Sequence, residues 1–291
     1  MTSISDTGTH AASRKPRDDE LDVFGLTHPG KVRQTNQDHF LFSTLHKTLR
    51  VRTTSLADPG VLEVPSERLG SMFMVADGVG GSEDGEAASR ATLETMAAYT
   101  MHTMHCYYDA NPATDHGTFL KELEEAATAC HETVVARARE KQIRKMATTL
   151  TLGLAVWPHL YLLHVGDSRA YRFRGGRLTQ LTVDQTMAQA LLDAGALKQA
   201  DLSRSPLRNI LSSAIGGTSQ PVVTHHDLEP GDVIMLCTDG LTKHVPHDQI
   251  EARFRAMTSS EQVCRQLVDD ALEGGGSDNV TVLVSRTVFT D

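Results

Sequence analysis

The stretch Ser71-Met-Phe-Met-Val-Ala-Asp-Gly-Val-Gly-Gly81 decides how this chain is read. Met72 to Ala76 form an unbroken apolar run of strand character, which stops at Asp77. Gly78, Gly80 and Gly81 follow, where the backbone must turn tightly and lie close to something else. Asp77 is therefore expected at a strand end. A carboxylate beside apolar residues costs free energy unless a cation or hydrogen-bond donors neutralise it. The position thus suggests a metal ligand whose neighbouring Gly78 carbonyl can reach the same ion. Taken singly, the pattern is more often that of an ordinary Asp-Gly turn than of a ligand. Its company elsewhere in the chain decides.

Three more acidic residues stand in the same grammar, each ending an apolar strand beside Gly or Asn: Asp167 in Val-Gly-Asp-Ser-Arg169, Asp239 in Leu-Cys-Thr-Asp-Gly240, and Asp278 in Gly-Ser-Asp-Asn279. Asp38 closes an early loop, Gly30-Lys-Val-Arg-Gln-Thr-Asn-Gln-Asp38, which concentrates charge and amide groups between two strands. A fold that brought these strand ends together would assemble an oxygen-only cluster, which selects hard ions such as Mg2+ or Mn2+. The 14 histidines show no H-E-x-x-H spacing and no cysteine company, which argues against zinc.

The rest of the chain reads as scaffold. It has 291 residues, 40% hydrophobic, and neither half differs from the other in composition, so residues 21–291 are taken as one catalytic domain. Residues 1–20 are polar and aperiodic, the signature of a disordered tail. A formal charge of -9 gives no footprint for nucleic acid, and no apolar run approaches the roughly 18 to 20 residues of a membrane span. The four cysteines lack a C-x-x-C pair and the N-terminus lacks a secretory core, which places the chain in a reducing cytoplasm. A monomer is expected.

Strands are expected at 22–27 and 39–43, with an irregular loop over 45–69. Two long helices follow, from Ser82 or Asp84 to about Met104 and from about Gly117 to Lys145, with apolar residues at helical spacing. Period-two runs at 148–157, 160–165, 170–173 and 178–182 are joined by tight turns and so must be antiparallel. An insert over 182–211 is polar with short helical pieces, and strands at 222–227, 232–237 and 280–286 flank two further helices. Sets of strands separated by long helices predict an α+β fold of two antiparallel sheets with helices on their outer faces.

Arg33-x-x-Asn-Gln-Asp38, Asp77-Gly-Val-Gly-Gly81, Gly166-Asp-Ser-Arg169, Thr238-Asp-Gly240 and Asp278-Asn279, in this order, resemble the metal-dependent Ser/Thr phosphatases of the protein phosphatase 2C (PP2C, PPM) family. The resemblance implies an αββα sandwich with a two-metal Mn2+ or Mg2+ centre in a cleft between sheet edges. By that resemblance Asp77 bridges both ions and the Gly78 carbonyl binds one. Asp239 and Asp278 bind the other, Asp38 acts through bound water, and Arg33 grips the phosphoryl group. Asp167 matches the ligand of a weaker third ion. The substrates implied are phosphorylated proteins, and the partner a cognate Ser/Thr kinase.

Two departures stand out. Val79 occupies the place of a His that some members carry after Asp-Gly, and Lys243 stands where relatives often have an acidic third-metal ligand, with His244 as a neighbouring substitute. Cysteine-based phosphatases need Arg six positions after Cys, which none of the four cysteines has, and the Gly-rich stretch lacks the Lys and Ser/Thr of a P-loop. A catalytically weak regulatory binding module on the same fold is the competing class, against which retention of the acidic cluster argues.

Overall fold

Strands that are apolar on both faces generate the architecture. The computed structural model describes residues 14–49, 64–79, 83–102, 116–143, 145–202 and 204–288. Along β3 (Val64–Val79), Met72, Met74 and Ala76 face one way and Phe73 and Val75 the other, all buried. Because side chains alternate with period two, such a strand needs cover on both sides.

One sheet has the order β2 (Asp38–Leu49), β3, β5 (Leu150–Val156), β6 (His159–Val165), β9 (Val222–Asp227), with the short β4 (Ala147–Thr148) against β3. The other has the order β1 (Leu21–His28), β11 (Val280–Thr287), β10 (Val233–Cys237), β7 (Arg169–Arg174), β8 (Arg177–Gln180). Every described pairing is antiparallel. Phe73, Val75, Leu160, Leu162, Ile234 and Leu236 fill the space between the sheets. The outer face of the first sheet is covered by α1 (Glu83–His102) and α2 (His116–Glu140), whose Phe119, Leu123 and Cys130 join its core. The outer face of the second is covered by α5 (Asp239–Thr242), α6 (His247–Arg255) and α7 (Ser260–Glu273). The four layers are those expected from the alternating pattern and from the resemblance.

Two local expectations change. β2 and β3 pair from Asp38↔Asp77 out to Leu49↔Val64, with irregularities at Leu45/His46 and Lys47/Leu49, so strand extends into residues 45–49 and 64–69, where a loop was expected. The bulges disturb the apolar alternation there, which hides a twisted ribbon from a period-two reading. Residues 50–63 lie outside the described residues, as do 1–13 of the tail. Arg14, by contrast, forks onto the fully covered Glu20 carboxylate at 2.7 and 2.5 Å, and Arg68 donates to the Pro16 carbonyl. Within residues 14–20, Pro16 and Glu20 are therefore held against the body while Arg17, Asp18 and Asp19 stay exposed, because a bidentate ion pair can stand in for a missing apolar anchor.

The insert carries α3 (Met187–Asp193), α4 (Gln199–Leu202) and a 3-10 turn, Pro206–Asn209. Thr186 caps α3 by accepting from the Gln189 N–H. The base of the insert is clamped to the Gly166–Arg169 loop: Arg169 binds Asp184 through two bonds of 2.7 and 2.6 Å, and Gln185 exchanges bonds with the Gly166 backbone.

Candidate metal centre and active site

Antiparallel register and strand ends bring the acidic residues together. Asp38 begins β2 and lies opposite Asp77 near the end of β3. Asp239 follows β10 and Asp278 precedes β11, two neighbouring strands of the other sheet. The Asp77 carboxyl reaches Asp239, a contact that becomes a hydrogen bond only if the pair holds a proton. Asp239 and Asp278 are joined by Lys243, whose ammonium lies 2.5 Å from Asp239 Oδ2 and 2.8 Å from Asp278 Oδ2. Arg33 grips Asp278 from the other side at 2.7 and 3.1 Å. Four strand ends from two sheets thus meet in one place.

The backbone around them is held by small polar side chains. Asp38 Oδ2 accepts from the hydroxyls of Thr238 and Thr281, each at 2.7 Å, so both sheets are tied to the same carboxylate. The Asp77 N–H donates to Thr149 Oγ1, while its carbonyl accepts from the Thr149 N–H and the Thr148 hydroxyl. Asn279 donates to the Pro29 and Thr35 carbonyls and accepts from the Gln37 N–H, which anchors the loop carrying Arg33. Gly78 lies against Gly85 in the first turn of α1, and a Cβ on Gly78 would stand 2.3 Å from the Gly85 carbonyl. Only hydrogen at both positions allows helix and strand end to approach this closely.

The electrostatics are those of a cation site. Asp38, Asp77, Asp167, Asp239 and Asp278 are five carboxylates served by two direct cations, Lys243 and Arg33. At about 4 Å and an effective dielectric of about 20, each unneutralised pair costs about 4 kcal/mol. Burial, then the hydrogen bonds and charges around it, leaves the Asp38 carboxyl at about 7. Burial, then Asp239, pushes Asp167 up to about 8, and burial followed by Asp38 and Asp239 raises Asp77 well above its usual range. Asp278 goes the other way: against its burial, Arg33 and Lys243 hold it down. Two carboxylate oxygens, Asp38 Oδ1 and Asp239 Oδ1, are buried without any hydrogen-bond partner. A buried acceptor left orphaned this way costs about 1–3 kcal/mol, more when charged, and a divalent ion satisfies it. The residues present fit hard cations with oxygen donors.

Of the residues expected from sequence, Asp38, Asp77, Asp239, Asp278 and Arg33 are brought together, with Gly78 adjacent. Asp167 lines a cavity of about 500 Å³ with Asp184, Asp239, Lys243 and residues of the insert. His244 is engaged elsewhere: Nδ1 bonds the Gly274 carbonyl and Nε2 accepts from the Ser277 N–H, so it holds the loop that leads to Asp278. The sequence reading gave no role to Thr238, Thr281, Asn279 or the Arg169–Asp184 pair. Thr238 and Asn279 stood inside the quoted motifs, whereas the strand position of Thr281 carries no local signal.

Comparison with known proteins agrees with this fold. Residues 63–273 match the model of the family described as Protein phosphatase 2C. The chain belongs to the protein phosphatase 2C family. It is 33% identical over 250 residues to the serine/threonine protein phosphatase PstP of Mycobacterium tuberculosis, covering 84% of this chain and 46% of that one, so the chain spans about half the length of that relative. It is 29% identical over 238 residues to the serine/threonine phosphatase stp of Listeria welshimeri, covering 81% of this chain and 91% of that one. The crystal structure of M. tuberculosis PstP superimposes with a TM-score of 0.72 at 29% identity, over 92% of this chain and 99% of that one. A structure of the PstP catalytic domain in complex with two manganese ions gives 0.68 at 28% identity, over 92% of this chain and 99% of that one. The two-sheet architecture of this phosphatase 2C chain is therefore that of the bacterial members. No helix among its described residues is long and apolar enough to cross a membrane.

Proposed function

We propose that this phosphatase 2C chain hydrolyses phosphoserine and phosphothreonine in proteins at a centre for two Mn2+ or Mg2+ ions. One observation carries the reading: carboxylates from four separate strand ends converge with two buried oxygens left orphaned. Asp77 and the Gly78 carbonyl, with Asp239 and Asp278, would hold the pair, and Asp38 would hold water beside it. Asp167 is the candidate for a weaker third ion. Ions held at this centre would supply charge neutralisation and lower the pKa of a water towards neutrality.

The chain's own residues do the rest. Asp38 is fixed by Thr238 and Thr281, so its remaining oxygen is held ready to orient a water and take its proton. The Arg33 guanidinium presents a planar fork that matches phosphoryl oxygens, and exchanging its bonds to Asp278 for a phosphate draws it into the cleft. No protein nucleophile is required. The test is phosphate release from a phosphothreonine peptide with Mn2+, with and without EDTA. Turnover that persists in EDTA would sink the metal reading, and phosphopeptide binding without turnover would favour a regulatory module.

Lys243 occupies space between two of the carboxylates. Its ammonium neutralises them in place of an ion and repels a cation at Asp167. Lys243→Ala is expected to tighten Mn2+ binding about tenfold or more, about 1.4 kcal/mol, as read by titration calorimetry. Weaker binding in the variant would show that the ammonium supports the ion-loaded centre instead.

We assign substrate choice to the insert over 182–211, which exposes Val183, Met187 and Ile210 and lines the Asp167 cavity with Gln199, Leu202 and Arg208. Exchanging it for a relative's insert should change phosphopeptide preference about tenfold while p-nitrophenyl phosphate turnover changes less than about twofold, since recognition beyond the reacting group acts only on the larger substrate. Equal effects on both would refute the assignment. The same reading makes the chain a cytoplasmic monomer acting opposite a Ser/Thr kinase, supported by its acidic composition and scattered cysteines.

A further inference from the structure

At the opposite end of β6 from the carboxylates, strand register gathers a second set of ligating groups. His159 pairs with Asp227 and Tyr161 with His225, and residues two apart share a face, so all four project from the helix-covered side of the sheet. His116, the first residue of α2, lies over them, its ring stacked on His225 at 3.9 Å and edge-on to His159 at 4.7 Å. The three imidazoles each bring a ligand atom within 4.8 Å of the others.

Among His159, His225 and Asp227 the separations approach those of a coordination shell, with the His116 donor within 4.8 Å of both other imidazoles. His159 Nδ1 lies 3.1 Å from His225 Nε2 and 3.0 Å from Asp227 Oδ1, which is 3.5 Å from His225 Nε2. A tetrahedral ion with bonds of about 2.0–2.1 Å sets its donors about 3.3–3.4 Å apart. Tyr161 Oη bonds His116 Nδ1 at 2.9 Å, and with Nδ1–H donating, Nε2 keeps its lone pair, the orienting contact that metal-bound histidines use. Nitrogen donors with one carboxylate suit zinc and its neighbours rather than Mg2+. The Asp227 side chain, 74% exposed, leaves a way in.

We propose that His116, His159 and His225, completed by Asp227, form a four-coordinate site for a divalent transition ion of the zinc class, separate from the catalytic centre. The length of β6, roughly 20 Å at about 3.3 Å per residue, lies between the two. An ion here would clip the start of α2 to β6 and β9. H-E-x-x-H is the signature of a helix-borne pair; here the spacing is that of alternating strand residues plus a distant helix end.

The test uses the full chain with Mg2+ in excess at the carboxylates, dialysed against Zn2+ and then, separately, Co2+. Wild type should retain one more zinc per chain than the double variant His159→Gln/His225→Gln. Its cobalt form should show the intense visible bands of four-coordinate Co2+, which the variant lacks. Mn2+-dependent turnover of p-nitrophenyl phosphate should be unchanged in the variant. Equal zinc content, or only the pale spectrum of six-coordinate cobalt in wild type, would overturn the proposal. If the double variant loses turnover, His116→Gln, altered only at a helix end, decides by the same criteria.

Discussion

Asp239→Asn is expected to cut Mn2+-dependent hydrolysis of p-nitrophenyl phosphate by at least about a thousandfold, roughly 4 kcal/mol of transition-state stabilisation, while the fold persists. The carboxylate touches Asp77 and Lys243 and has one buried oxygen without a partner, so the amide removes a charge on which ions depend but little packing. In EDTA-stripped protein the same change should raise the unfolding temperature, because burial raises the Asp239 pKa and makes its charge costly. The stripped wild type should also depend on pH with a definite sign. Asp38 and Asp167 hold their protons to about 7 and about 8, whereas an unfolded Asp lets go near about 4. The folded state therefore binds more protons, and stability climbs as pH falls from about 8 towards about 4. Further below, protonating Asp278 breaks its pairs with Arg33 and Lys243, and stability falls. Saturating Mn2+ should remove the upper limb, since ion binding needs the carboxylates deprotonated. Asp239→Asn protein that keeps a tenth of wild-type turnover would contradict the proposed centre.

Gly240→Ala is expected to lower stability by about 3 kcal/mol or more and to weaken Mn2+ binding with it. A Cβ there would stand 1.8 Å from the Asn279 carbonyl oxygen and 2.8 Å from its carbon. Backbone must move, yet Asn279 is anchored through Pro29, Thr35 and Gln37, so the shift passes to Asp278 and to the loop of Arg33. Alanine's better helix propensity in α5 returns only about 1 kcal/mol, so the clash decides the sign. For a chain of this size the loss corresponds to a fall in Tm of about 6–12 °C. Gly217→Ala, where the added carbon meets nothing closer than 3.6 Å, is the control and should be nearly neutral. A Gly240→Ala protein melting with wild type would show that the helix slides freely past β11.

The layers were legible because β3, β6 and β10 alternate between two apolar faces, and period two with short turns leaves few alternatives. Asp77, Asp167, Asp239 and Asp278 were legible because each lies at one end of an apolar strand beside a small residue. What escaped was either hidden by polar composition or non-local. The ribbon of β2 and β3 continues through bulges that break the period, and packing of Arg14 onto Glu20 looks in sequence like a charged tail. The position of Lys243 showed as a departure from the family pattern, but only the structure places its ammonium between Asp239 and Asp278. Thr281 meets Asp38 across 243 residues of sequence, and His116 reaches His159 only because α2 folds back over β6. Pairings at such range leave no trace in local spacing.

Thr238 and Thr281 reach from one leaf of the sandwich to grip an acid on the other. Cohesion of the leaves and readiness for chemistry are therefore the same set of bonds. A lesion deep between the sheets, at Leu162 or Ile234, would first reveal itself as slackened turnover, well before the polypeptide lost its shape. Screening for impaired enzyme would then recover architectural defects far from the cleft.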